Sequence, residues 1–141
     1  MSIDHKNIRV LVLALIENNG KILACPGRDT VKKQEYYRLI GGGVDFGEST
    51  SSALRREIRE ELGLTILKPE LLDVFENIFV FNGLPAHEII FLYRVKFKSK
   101  EAYRRLLFPI LDSDHGHQAI WINPKKVGVK KIYPQEILDY I

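Results

Sequence analysis

The sequence predicts an α/β (α+β) fold, in which a mixed β-sheet lies between helices. Three observations carry that prediction. Strand-length apolar runs recur along the chain, divided by turn signals such as Asn18-Asn19-Gly20 and Asn82-Gly83-Leu84-Pro85. A glycine-rich turn, Gly41-Gly42-Gly43, opens into one clearly amphipathic helix, and a second helical pattern closes the chain. Hairpins occurring together with longer crossovers call for both antiparallel and parallel strand pairs. The 141 residues amount to a single domain, large enough to bury a core without cross-links.

Arg9 to Ile16 is a continuous apolar run rich in β-branched residues, which reads as a strand buried on both faces. The Asn-Asn-Gly turn returns it as a hairpin over Lys21 to Cys25, and Pro26-Gly27 is expected to end that strand. Arg28 to Glu35 reads as a polar loop, and Tyr36 to Ile40 as a short extended segment that delivers the chain to the glycines. A helix is expected from about Thr50 to Leu62, with Ser49 or Thr50 as N-cap and Gly63 as its stop. Leu54, Ile58 and Leu62 form its apolar stripe. Leu71 to Phe81 and Glu88 to Phe97 are strand-like, whereas Lys98 to Arg105 is ambiguous between a strand end and a short helix. Ala119 to Ile122 is a short strand closed by Asn123-Pro124, and Pro134 to Ile141 is expected to be a helix with Pro134 in its first turn.

Composition narrows the function classes. Hydrophobic residues make up 45% of the chain and charged residues 28%, as in an ordinary globule. The formal charge of +3 favours phosphate-bearing small molecules but is too weak to argue for nucleic acid. Lys125, Lys126, Lys130 and Lys131 form only a modest cluster. The polar N-terminus does not read as a signal peptide, and Val10 to Ile16 is too short to cross a membrane. The single cysteine, Cys25, suits a reducing compartment, so the expected setting is the cytoplasm. A homodimer is left open.

The chemistry concentrates in the helix. Glu57, Glu60 and Glu61 span an arc of roughly 100° beside the apolar stripe. Two full charges about 6 Å apart repel by about 3 kcal/mol at an effective dielectric of about 20. Such crowding needs compensating cations, which Arg55, Arg56 and Arg59 supply in part and a hard divalent metal supplies more sharply.

Gly42, Glu48, Arg56-Glu57-Ile58, Glu60-Glu61, Gly63 and Leu64 fill every fixed position of a Nudix box, so the chain resembles the Nudix hydrolase family. That resemblance implies an α/β/α sandwich and a Mg²⁺ or Mn²⁺ site made by Glu57, Glu60 and Glu61 with the Gly41 carbonyl. It implies a small nucleotide substrate, either a nucleoside triphosphate, oxidised or not, or a nucleotide sugar. The reaction would be hydrolysis of its diphosphate bond. A rival implication is a binding module that keeps the fold without the catalysis. Glu48 and Arg56 are expected to form a structural salt bridge. The family fixes no single general base, which leaves Glu60, Glu61 and Glu88 as candidates. Arg28 and Arg38 lie where relatives grip phosphate or base, Tyr37 occupies a position that relatives often fill with an aromatic residue and is a further substrate-binding candidate, and Gly42 permits close approach of the backbone to phosphate. Asp112, Asp114 and His115 lie in a loop that in some relatives covers the substrate, while Tyr36, Phe79 and Phe81 are either core or a stacking surface. Ile40 departs from the proline that many members place there. Val80, Phe81 and Asn82 lack the markers of the ADP-ribose and dinucleoside-polyphosphate branches.

Overall fold

The apolar run near the N-terminus becomes the middle of the sheet. In the computed structural model, which describes residues 6–113, 116–128 and 131–141, β1 spans Ile8–Leu15. Leu11 to Ile16 are at most 1% exposed. Side chains alternate across a strand, so Val12, Ala14 and Ile16 enter one core while Leu11, Leu13 and Leu15 enter another. The expectation of a strand buried on both faces holds.

The remaining strands are β2 (Glu17–Asn18), β3 (Lys21–Asp29), β4 (Gln34–Gly43), β5 (Glu70–Phe81), β6 (Leu84–Arg94), β7 (Leu107–Pro109), β8 (Gln118–Ile122) and β9 (Ile132–Tyr133). Their order is β5-β6-β1-β4-β3-β8-β7, with β2 on β3 and β9 on β4. The β1–β6 and β4–β9 pairs are parallel and the others antiparallel, so the sheet is mixed. β4 holds the sheet together because it pairs with β3 up to Leu39 and with β1 from Ile40 onward. Just past that change of partner Gly41 has φ 156°, and a Cβ there would lie 1.9 Å from the Val12 carbonyl oxygen.

One core is covered by α1 (Thr50–Leu62), which buries Ala53, Leu54, Ile58 and Leu62. Each large aliphatic side chain among these contributes about 1.5–3 kcal/mol. The Ser49 side chain caps the helix by accepting from the Ser52 N–H, and Gly63 ends it at φ 69°, donating to the Arg59 carbonyl. The opposite core is closed by a 3₁₀ helix, Gln135–Tyr140, through Ile137, Leu138 and Tyr140. A single turn, α2 (Pro124–Val127), follows Asn123 as its cap.

Several boundaries differ from the sequence reading. β3 does not stop at Pro26-Gly27 but continues to Asp29, with Pro26 opposite Tyr37. Proline is tolerated there because β8 pairs with β3 only up to Ala24, leaving that edge open. The polar loop is therefore only residues 30–33. Asn82 and Gly83 make a two-residue turn with positive φ at both, so Leu84 and Pro85 already belong to β6, which ends at Arg94 rather than Phe97. The ambiguous segment is a 3₁₀ helix at Lys100–Arg104. The expected C-terminal helix is 3₁₀ rather than α, with Pro134 as an extended N-cap outside the first turn. A stretch of six residues is too short to gain much from α-helical bonds.

Candidate active site

The helix separates its three acids by depth. Glu61 faces the core and is 4% exposed; the Glu57 side chain is 12% exposed and that of Glu60 48%. Arg56 ties this face to the loop before it. Its Nε donates to Glu48 Oε2 at 2.8 Å and its Nη2 to Glu48 Oε1 at 2.9 Å and the Gly43 carbonyl at 3.0 Å. Its Nη1 donates to Glu57 Oε1 at 2.9 Å and Glu60 Oε2 at 3.3 Å. The fork geometry of a guanidinium suits this bidentate pairing. Glu48 and Arg56 thus form the scaffold pair read from the sequence. Hydrogen bonds from Arg56 and from the Asp45 N–H hold the Glu48 carboxyl down at about 2.

Gly42 sits directly against Glu57, and a Cβ there would lie 2.4 Å from the Glu57 carboxyl carbon. Its missing side chain therefore makes room for a carboxylate. Among the three glycines, positive φ occurs only at Gly41.

Burial pushes Glu61 up to about 7, with Glu57 and Asp112 adding to the rise while Arg38 opposes it. Glu57 is raised by burial as well, against the pull of Arg56. Glu61 Oε2 is buried with no hydrogen-bond partner, an arrangement that costs on the order of 1–3 kcal/mol when left unmet. Oxygen donors of this kind fit a hard divalent cation. Among the described residues no three His, Cys, Asp or Glu side chains are grouped so as to hold a metal ion. Mg²⁺ commonly binds through one or two carboxylates and completes its shell with substrate phosphates and water, so an open set built on Glu61 and Glu57 is compatible with it.

A second feature lies beyond the helix. A cleft of about 310 Å³ is lined by Tyr36, Phe79 and Phe81 with Arg38, Glu88 and Tyr133. Tyr36 meets Phe81 edge-on at 5.8 Å between ring centroids, and Phe79 lies 5.4 Å from Tyr133. Glu88 is 3% exposed and accepts a short hydrogen bond from the Tyr133 hydroxyl. Burial raises the Glu88 carboxyl, while Tyr133 and Arg9 pull it down. Over the cleft the β3–β4 and β5–β6 hairpin tips are clasped. Asp29 accepts from the N–H groups of Val31, Lys32 and Asn82 at 3.0, 2.9 and 3.1 Å. Asn82 Oδ1 accepts from the Thr30 N–H at 2.8 Å, and Lys32 Nζ donates to the Val80 carbonyl at 3.0 Å. The Lys32 N–H leads the hydrogen bonds that hold the Asp29 carboxyl below its usual range.

The expected site residues therefore divide. Arg38 lines the cleft, and its charge acts on Glu61, linking the cleft to the helix acids. Glu88 belongs to the cleft, with Tyr133 and Arg9 as partners, and not to the carboxylate cluster on the helix. Arg28 is paired with Glu35 at 3.7 Å and, like Tyr37, lines a shallow hollow beside Pro26 and His117; neither lines the cleft. Asp112 acts on both Glu57 and Glu61. Asp114, His115 and Lys130 lie outside the described residues. Sequence reasoning missed Asn77, Tyr133 and Glu136, which also line the cleft. For Asn77 a signal existed, since it shares the strand face of Phe75, Phe79 and Phe81 as a polar residue in an apolar register.

The sequence matches the NUDIX domain over residues 5–139. It is 45% identical over 64 residues to the nucleoside triphosphatase NudI of Escherichia coli, a match covering 45% of each chain. To the NudI of an Enterobacter species it is 44% identical over 66 residues, covering 43% of this chain and 47% of that one. The chain thus spans less than half the length of these curated relatives. Among solved structures it resembles a MutT NUDIX hydrolase from Burkholderia pseudomallei, with a TM-score of 0.62, 27% identity and 84% of both chains covered. A NUDIX hydrolase from Nitrosomonas europaea, at 21% identity over 94% of this chain and 85% of that one, shares the fold with a TM-score of 0.61.

Proposed function

Because the chain belongs to the Nudix family, we propose that it is a metal-dependent pyrophosphohydrolase acting on a small nucleotide. It cleaves a diphosphate bond in a nucleoside diphosphate linked to another group, a nucleoside triphosphate or a nucleotide sugar. The observation that carries this reading is the buried Glu61 Oε2 without a hydrogen-bond partner, beside the largely buried Glu57 on one helix face. The triphosphatase name of the NudI relatives favours triphosphates within the class.

Glu61 and Glu57 would hold the cation together with the Gly41 carbonyl, which leaves Glu60, the more exposed of the three helix acids, for the proton. When bound, a divalent cation neutralises phosphate charge and makes a coordinated water more acidic. The chain's own residues do the rest. Arg56 keeps Glu57 and Glu60 in place through Glu48 and the Gly43 carbonyl. Arg38, between the cleft and Glu61, meets the substrate's negative charge. Glu60 is the proton acceptor, because it is the helix acid that water reaches most freely. Glu88 is sealed by Tyr133 and serves the nucleoside end.

The test is release of nucleoside monophosphate, pyrophosphate or phosphate from triphosphates, nucleotide sugars, ADP-ribose and dinucleoside polyphosphates with Mg²⁺. Turnover of at least one class is expected. Tight nucleotide binding without turnover of any would make the chain a binding module instead. Glu60→Gln should lower kcat by about 10²–10⁴-fold, whereas Glu88→Gln should act mainly on KM. The reverse pattern would move the base to Glu88.

A further inference from the structure

Gly27 is a glycine for a side chain's sake and not for the backbone's. It lies inside β3, directly opposite Tyr36 of β4, and its φ lies outside the positive range that favours glycine. A glycine inside a strand weakens it and often marks a point of close approach. What approaches here is the ring of Tyr36. A Cβ on Gly27 would lie 2.5 Å from Tyr36 Cζ, 2.6 Å from its hydroxyl oxygen and 2.9 Å from Cε2. The ring therefore occupies the space that any side chain at position 27 would take.

That ring is a shared wall. Tyr36 lines both the cleft and the shallow hollow beside Pro26 and His117, whereas Gly27 lines the hollow alone. Tyr36 also meets Phe81 edge-on at 5.8 Å, and with Phe79 and Tyr133 these rings give the cleft aromatic walls suited to a flat heterocycle. The conflict with an added Cβ can be relieved by moving the ring, because the crowded atoms are the far end of a side chain and not backbone. Moving the ring displaces the wall of the cleft. We propose that Gly27 is a positioning residue for the nucleoside end of the substrate: its missing side chain seats Tyr36 as the wall against which the base is held. The proposal rests on the reading that the cleft takes the nucleoside. The rival is a protective role alone, since a ring laid on a strand glycine also shields the backbone; that role would move stability and leave substrate binding unchanged.

The experiment has two arms. In the first, kcat and KM are measured for ATP, CTP, GTP, UTP and dTTP with Mg²⁺ in wild type, Gly27→Ala, Tyr36→Ala and the double variant, with denaturant unfolding of each. Gly27→Ala should raise KM for the best substrate by about three- to tenfold, the range that one aromatic contact is worth, with kcat and the Mg²⁺ requirement unchanged. Tyr36→Ala should raise KM as well. On the Tyr36→Ala background Gly27→Ala should add nothing, because the ring it displaces is gone. In the second arm, binding of AMP, GMP, CMP and UMP is measured by calorimetry in metal-free buffer, with the same pattern expected in Kd. A Gly27→Ala that shifts stability and leaves KM and Kd alone would make the contact protective only and overturn the proposal. An equal effect of Gly27→Ala with and without the Tyr36 ring would overturn it too. So would a folded Tyr36→Ala with wild-type KM and Kd, whether or not Gly27→Ala folds. Absence of all turnover with nucleotide binding intact would sink the hydrolase reading alone, because the second arm would still decide the role of Gly27. Failure of wild type to bind any of these nucleotides would overturn the proposal together with its premise.

Discussion

At the scale of single residues, neighbouring carboxyl groups on one surface behave in opposite ways. Glu48 is held at about 2 by Arg56 and the Asp45 N–H, below the ordinary 4.5. A depressed carboxyl contributes stability that is fully present above its unfolded value and lost as pH falls through its folded one. The stability difference between wild type and Glu48→Gln, followed by denaturant unfolding, should therefore be constant near neutrality. It should start to shrink below about pH 4.5 and vanish near pH 2. Glu61 is the opposite case, since burial raises it to about 7. Glu61→Gln removes a buried charge with an unmatched oxygen, so in metal-free buffer at pH 8 it should melt no lower than wild type. Cys25 is 3% exposed and burial pushes its thiol up to about 11. Iodoacetamide at pH 8 should leave it unmodified in the native protein and alkylate it in denaturant; rapid native labelling would contradict the packing described.

At the scale of elements, the glycine end of β4 and the clasped hairpin tips each carry contacts that a single substitution disturbs. Gly42→Ala would drive a Cβ to within 2.4 Å of the Glu57 carboxyl carbon. That variant should stay folded yet lose activity, because the displaced group is a side-chain end and not the backbone. Gly63→Ala puts a side chain at φ 69° and should cost about 1 kcal/mol in chemical denaturation while leaving activity intact. Asp29→Ala removes one of the acceptors that join the two hairpin tips, together with the two bonds that shape the β3–β4 turn. Amide exchange should accelerate at residues 29–32 and 80–83 and stay unchanged in β1, where Leu11 to Leu15 are fully packed.

At the scale of the whole molecule, what could be read from the sequence depends on how far apart the cooperating residues lie. Leu54, Ile58 and Leu62 pack as their spacing implies, Ser49 and Gly63 cap as their types imply, and Glu48 meets Arg56 within the same local stretch. The cleft joins Arg38, Asn77, Glu88, Tyr133 and Glu136, which come together only through the partner exchange of β4 and the register of β5 on β6. No local pattern around Glu136 announces that it faces a cavity. Pro26 misled because proline usually ends a strand, whereas an open edge removes the penalty. The most direct measurement is nucleotide hydrolysis as a function of free Mg²⁺, in wild type and Glu61→Gln. Turnover should require Mg²⁺ in wild type, with Glu61→Gln folded and slower by orders of magnitude across the whole titration. Metal-independent turnover, or a Glu61→Gln enzyme with wild-type rates, would contradict a cation held by this helix face.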